Sequence, residues 1–331
     1  MAAALAFALL FAFSNGIHDA SNAIAALVVT RAARPLHAVL MAAVCNLLGP
    51  LLVGGAVADT IGGIVTVDGA AGVEIIGAGV LAAALWNLAT WRLGLPSSSG
   101  HALVGGLVGA ALTAAGTDAV RWGGFDGGHP AGVLGTLVAL AVAPVLGVAA
   151  AFIAIRALRR IARRATQLWR GPARGAQWAM SGALAFSHGA NDAQKTIGVV
   201  AALLLADGRI GSLSGPLWAT VACATALTAG TALGGWGIVR TIGRRIYRIQ
   251  PIDAVASESA SAAVIFGASL AGAPVSTTHV VASSVVGIGG GRRRWRHVHW
   301  RLVRQIAGGW LVTLPATALI GAVSVSVWSW L

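Results

Sequence analysis

Phe13-Ser14-Asn15-Gly16-Ile17-His18-Asp19-Ala20 returns as Phe186-Ser187-His188-Gly189-Ala190-Asn191-Asp192-Ala193, 173 residues further along the chain. Both copies put an acid inside a strongly apolar segment. A carboxylate at helix-centre depth in a bilayer costs roughly 2.5–3.5 kcal/mol on insertion scales, so one that recurs needs a compensating cation, proton or partner. A second pair follows in the same order: Pro96-Ser97-Ser98-Ser99-Gly100-His101 matches Pro274-Val275-Ser276-Thr277-Thr278-His279 at an offset of 178. Two motifs recurring in order define an internal duplication.

The surrounding composition places that duplication in a membrane. Hydrophobic residues make up 57% and charged residues 10% of the chain, and mean hydropathy is +0.80. These values lie outside the soluble globular range. Apolar stretches of about 20 residues suffice to cross a ~30 Å hydrocarbon core. They are read at 2–30, 38–59, 73–91, 99–116, 131–155, 176–206, 213–239, 254–272, 276–290 and 305–331. The fold expected is an all-α polytopic membrane protein of about ten transmembrane segments, with broken or re-entrant helices at the motifs. The first segment is read as retained rather than as a cleaved leader, because no basic residue precedes it and it carries Asn15, His18 and Asp19. Cys45 and Cys223 are the two cysteines, each in an apolar segment. Their placement supports neither a disulfide framework nor a metal site.

The formal charge of +13 is a topology signal rather than a nucleic-acid footprint. Arginines cluster at Arg156–Arg174, at Arg240, Arg244, Arg245 and Arg248, and at Arg292–Arg304, whereas the loops near 60–72, 118–130 and 207–212 carry Asp59, Asp68, Asp118, Asp126 and Asp207. The positive-inside rule puts the basic loops in the cytoplasm and both termini outside. The chain then divides into a first repeat, 1–155, a basic connection, 156–175, and a second repeat, 176–331. Five spans per repeat is an odd number, so the second copy is inverted. Inverted repeats with a midplane site are a common architecture of secondary transporters. Several of the twelve tryptophans, such as Trp91, Trp122 and Trp295, fall near span ends as interfacial anchors.

Asp19 and Asp192 are the first candidates for cation coupling, and Glu258, without a counterpart in the first half, ranks behind them. Gly16 and Gly189, three residues before the acids, are expected to let the helices break and release carbonyls. Asn22 and Lys195 lie three residues after their acids, on the same helical face. Lys195, the one lysine of the chain, either neutralises Asp192 or attracts an anion. His18 and Asn191 occupy matched places; His18 either exchanges a proton or packs as a neutral ring. Ser97, Ser98 and Ser99, with Ser276, Thr277 and Thr278, look like helix starts, because Pro favours a first turn and Ser or Thr caps free N–H groups. A helix N-terminus suits a tetrahedral oxyanion. In the inverted topology two half-helices aim at one central anion from opposite sides. The bland alternative for these hydroxyls is bonding to helix carbonyls. His101 and His279 are matched supports.

At Gly16-Ile17-His18-Asp19-Ala20-Ser21-Asn22-Ala23, Gly189-Ala190-Asn191-Asp192-Ala193-Gln194-Lys195 and the two Pro-Ser/Thr motifs, the chain resembles the inorganic phosphate transporter (PiT) family. The resemblance extends through essentially the whole chain. It implies phosphate uptake across the cell inner (cytoplasmic) membrane, coupled to Na⁺ in some members and to protons in others, including bacterial low-affinity systems. It assigns the Asn-Asp motifs to the cation and phosphate region and the Ser/Thr motifs to the phosphate pocket. His18 departs from the family's usual Asn, and with Gln194-Lys195 this tilts the expectation toward proton coupling, with a metal–phosphate complex as a further substrate form. No cofactor or resident metal is expected. The expected partners are inorganic phosphate, a proton or sodium ion, the lipid bilayer and, on symmetry grounds, a second copy of the chain.

An inside-negative potential opposes inward movement of a dianion by about 4.6 kcal/mol per 100 mV, so import requires accompanying positive charge. A passive anion channel has no use for paired buried acids. A membrane-embedded hydrolase lacks a nucleophile motif, and no Gly-x-x-x-x-Gly-Lys-Ser/Thr loop points to an ATP-driven pump. Sulfate is the closest rival substrate.

Overall fold

Alanine, leucine and valine give long helix-compatible segments, and proline and glycine mark where they start and stop. Pro35 and Pro251 head their helices, and Gly116 and Gly234, with φ of +80° and +71°, end theirs in backbone conformations that side chains resist. The computed structural model describes residues 1–126, 129–162, 170–234, 246–247 and 249–328. The first half supplies α1 (Ala2–Val29), α2 (Pro35–Leu52), α3 (Ala56–Gly62), α4 (Gly69–Arg92), α5 (Ser99–Ala115) and α6 (Gly132–Ile161). From the second half come α7 (Arg170–Ala206), α8 (Leu217–Leu233), α9 (Pro251–Leu270), α10 (Thr277–Gly291) and α11 (Trp300–Trp328). A two-residue antiparallel ladder pairs β1 (Phe125–Asp126) with β2 (His129–Pro130).

The packing is that of two interlocked, inverted copies. α1 packs on α8 while α7 packs on α2; α5 packs on α11 while α10 packs on α6. Exchanging the halves reproduces the same neighbours. The end of α1 meets the start of α7, where Gln177 Nε2 donates to Thr30 Oγ1 at 3.1 Å and Trp178 Nε1 donates to the carbonyl of Ala32 at 3.3 Å. From that level, one helix runs back to Asp19 and the other runs forward to Asp192. The two are therefore antiparallel, as inversion requires.

Among the described residues, five helices, α1, α2, α4, α6 and α11, are long and apolar enough by themselves to cross a membrane. α5 and α10 have 17 and 15 residues, which at about 1.5 Å per residue falls short of a ~30 Å core. Their starts lie inside the protein. Exposed Leu134, Val138, Val145 and Ile153 on α6, with Leu311, Leu319, Val323 and Val327 on α11, form apolar outer faces suited to lipid.

Two expectations change. The stretch 38–59 is divided, α2 ending at Leu52 and α3 turning inward to lie against α7. Breaks occur ahead of Ser99 and Thr277, but α1 and α7 continue without interruption through the acids. Gly16 and Gly189 serve close approach instead: a Cβ on Gly189 would lie 2.7 Å from Asn46 Cα, and one on Gly16 would lie 2.9 Å from Thr231 N. Continuous helices satisfy their own carbonyls, so none is released there for a cation. Arg163, Arg164, Arg240, Arg244, Arg245 and Arg248 lie outside the described residues.

The inversion and the positive-inside rule together predict sidedness. In a background without Cys45 and Cys223, a cysteine at exposed Arg160 should react with an impermeant reagent from the cytoplasm, and cysteines at exposed Asp68 and Asp207 from outside. Labelling of positions 160 and 68 from the same side would contradict the topology.

Candidate functional site

The two short helices begin in the same way. Ser98 Oγ accepts the N–H of His101 at 3.2 Å, and Ser276 Oγ accepts the N–H of His279 at 3.3 Å. Each cap uses one of the free first-turn donors. The N–H groups of Ser99 and Gly100, and of Thr277 and Thr278, head these helices and have no acceptor within them. The two starts meet: the rings of His101 and His279 are 5.0 Å apart, His279 stacks on Trp310 at 3.7 Å, and Trp310 Nε1 donates to the carbonyl of Pro96 at 3.1 Å. His101 and His279 thus brace the two helix starts against α11.

The acids sit against these starts, fully buried. Asp19 Oδ1 accepts from Thr278 Oγ1 at 2.7 Å and lies 2.9 Å from His18 Nδ1, while Oδ2 accepts from Ser99 Oγ at 3.4 Å. Asp192 Oδ2 accepts from Thr277 Oγ1 at 3.0 Å and lies 2.8 Å from His188 Nε2; its Oδ1 is 2.5 Å from Lys195 Nζ. Asn22 bridges the two halves, its Nδ2 donating to Thr278 Oγ1 at 3.0 Å and reaching Thr277 Oγ1 at 3.5 Å. Asp19, His188 and Asp192 offer ligand atoms within 4.8 Å of one another, a group able to hold a cation. Asn22 Oδ1, buried and without a hydrogen-bond partner among the described residues, is a further acceptor beside them.

His18 and Asn191 do the same job in the two halves. His18 Nε2 lies 3.2 Å from the carbonyl of Leu95 and 3.2 Å from Ser97 Oγ; Asn191 Nδ2 donates to the carbonyl of Ala273 at 3.3 Å and to Ser269 Oγ at 3.0 Å. Each ties an acid-bearing helix to the loop before a short helix. His18 therefore keeps the tether that Asn191 makes, and also contacts Asp19. Ser97, whose Oγ is 2.9 Å from Thr90 Oγ1 as well, belongs to that tether.

Glu258 stands apart. Its Oε1 accepts from Ser181 Oγ at 2.6 Å, and its buried Oε2 has no hydrogen-bond partner among the described residues. Ser181 precedes Asp192 on α7 by about 16 Å of helix rise, toward the basic end of the molecule. Near that end a cavity of about 960 Å³ is lined by Arg31, Tyr247, Gln250, Arg294, His297 and His299, among others. A second cavity, of about 280 Å³, is lined by Pro50, Asp59, Gln194, Ser214 and Thr220.

His188 was not among the residues singled out from sequence. Its four-residue spacing to Asp192, one turn of the same helix face, was the available signal. Asn46 was hidden in an unremarkable apolar segment, yet its Oδ1 lies 3.0 Å from His188 Nδ1 and its Nδ2 donates to Thr231 Oγ1 at 3.0 Å. No motif spacing would have revealed it.

Paired buried acids, two helix starts set against them and inverted halves define a membrane transporter fold. The comparisons place it further. The model of the phosphate transporter family matches residues 15–173 and 164–321, one match for each half. A probable low-affinity inorganic phosphate transporter of Rhizobium meliloti is 38% identical over 96% of this chain and 93% of its own length. One of Bacillus subtilis, with the same description, is 37% identical over 96% and 93%. The solved structure described as the sodium-dependent phosphate transporter superposes with a TM-score of 0.87 at 24% identity, covering 99% of this chain and 98% of that one; it shares the fold. The chain belongs to the phosphate transporter family, and with transporters rather than enzymes.

Proposed function

We propose that this protein imports inorganic phosphate across the cytoplasmic membrane by proton-coupled symport through alternating access, with sodium as the alternative coupling ion. The observation that carries this reading is the meeting of two oppositely directed helix N-termini at two buried carboxylates. The N–H groups of Ser99, Gly100, Thr277 and Thr278 would receive the phosphate oxygens, and the hydroxyls of Ser99, Thr277 and Thr278 would complete the pocket. As the site stands, those hydroxyls donate to Asp19 and Asp192.

That competition supplies a reason for coupling. A phosphate beside an ionised Asp19 meets a like charge; at about 4 Å and an effective dielectric near 20, the repulsion is about 4 kcal/mol. A cation or proton on Asp19 removes it and releases the hydroxyls. Phosphate and cation therefore favour each other's binding. The arginine-lined cavity near the basic end supports release of a charged anion there, rather than of a neutral metal–phosphate complex, and Glu258 lies toward that end. The smaller cavity would mark the opposite vestibule, and the buried site lies between the two.

Substitution of single hydroxyls tests the pocket. Ser99→Ala and Thr277→Ala should each weaken phosphate binding to the purified protein by about 1.5–3 kcal/mol, the range for a hydrogen bond to a charged group. Ser98→Ala and Ser276→Ala should act through the lost cap, costing about 0.5–2 kcal/mol of helix stability. Unchanged phosphate affinity in well-folded Ser99→Ala and Thr277→Ala would assign these two hydroxyls to packing.

A further inference from the structure

The two halves place different residues at one matched position, and the difference changes the charge of the site. Asn22 follows Asp19 by three residues; Lys195 follows Asp192 by three. Lys195 is among the largest fully buried side chains of the protein. Its Nζ is 2.5 Å from Asp192 Oδ1 and donates to the carbonyl of Val275 at 2.6 Å. A carboxylate oxygen and a main-chain carbonyl oxygen are the ligands a hard cation takes. Asn22, by contrast, donates to neutral hydroxyls and leaves Asp19 without an ammonium partner.

We infer that Lys195 is a tethered cation: its ammonium holds the place against Asp192 and Val275 that a second mobile coupling cation would take. A site with two acids and no lysine would need two mobile positive charges before accepting an anion. Here one charge is built in, and the mobile cation is left to Asp19, with His188 and the remaining Asp192 oxygen beside it. Lys195 therefore sets the number of cations moved with each phosphate. Direct phosphate binding by Lys195 is the rival role, but two of its three donors already serve Asp192 and Val275.

The inference rests on the cation-coupled reading above, and the two fail differently. Native protein in proteoliposomes that accumulates no phosphate under either a proton or a sodium gradient would take away that reading before any variant is made. If it does accumulate phosphate, the rate should rise with the first power of the coupling cation's concentration; a second-power rise in the native protein would overturn the tethered cation. Lys195→Asn, which restores the residue of the first half, should steepen that dependence by one power and add one charge per phosphate, read as the reversal potential. At a 100 mV potential, the added charge raises limiting accumulation roughly fifty-fold. An unchanged cation order, or a loss of phosphate affinity alone, would show that Lys195 is structural or binds the anion. Should Lys195→Asn fold poorly, the longer neutral amide of Lys195→Gln is the second variant. It should show the same second-power dependence and the same added charge per phosphate. A folded Lys195→Gln protein that keeps the first-power dependence would overturn the proposal.

Discussion

Asp19→Asn should reduce gradient-driven phosphate accumulation roughly fifty-fold at a potential of 100 mV, because one coupled charge is worth ~2.3 kcal/mol at that potential. The amide keeps the shape of the carboxylate and loses its charge. Thr278 and Ser99, which now donate to Asp19, would be freed for the anion, so phosphate binding should survive and lose its dependence on the cation. Measured together, binding and accumulation separate a coupling residue from a structural one. Accumulation at the native level in Asp19→Asn would show that this acid does not couple. Asp192→Asn should be worse folded, since removing one partner of a buried ion pair costs about 3–5 kcal/mol.

Gly189→Ala should destabilise the fold by about 3 kcal/mol or more. The added methyl would meet the backbone of Asn46, and backbone cannot move aside as a flexible side chain can. Helices α7 and α2 would have to separate, displacing Asp192 and the Asn46–His188 bond. Overpacking commonly costs 1–3 kcal/mol, and a contact with backbone falls at or beyond about the top of that range. Gly267→Ala on α9, where no described residue lies within 4 Å of the new methyl, should instead be neutral or slightly stabilising. Thermal unfolding of the two variants in detergent checks the contrast; equal melting temperatures would remove the close-approach account of Gly189.

The duplication, the helix starts at Ser99 and Thr277 and the pairing of the acids were legible in the sequence because each follows from a local rule: periodic apolar length, capping chemistry, or a carboxylate out of place. The roles of individual polar residues were less legible. Gly16 and Gly189 looked like breaks because glycine allows both a broken helix and a close crossing, and only the neighbours at Leu227 and Asn46 decide between them. His18 looked like a departure from the pattern, yet its ring makes the bond to a loop carbonyl that the Asn191 amide makes in the other half. Glu258 resembled the other acids in composition but sits on α9, bonded to Ser181 about 16 Å of helix rise from Asp192 along α7, a distance that sequence spacing between different helices does not encode.

Radiolabelled phosphate uptake into proteoliposomes, with proton and sodium gradients imposed separately and sulfate in excess as competitor, tests the central claim most directly. The expected result is uphill phosphate accumulation driven by an inward proton gradient and undiminished by sulfate. Phosphate that only equilibrates, whichever gradient is imposed, would contradict coupled transport.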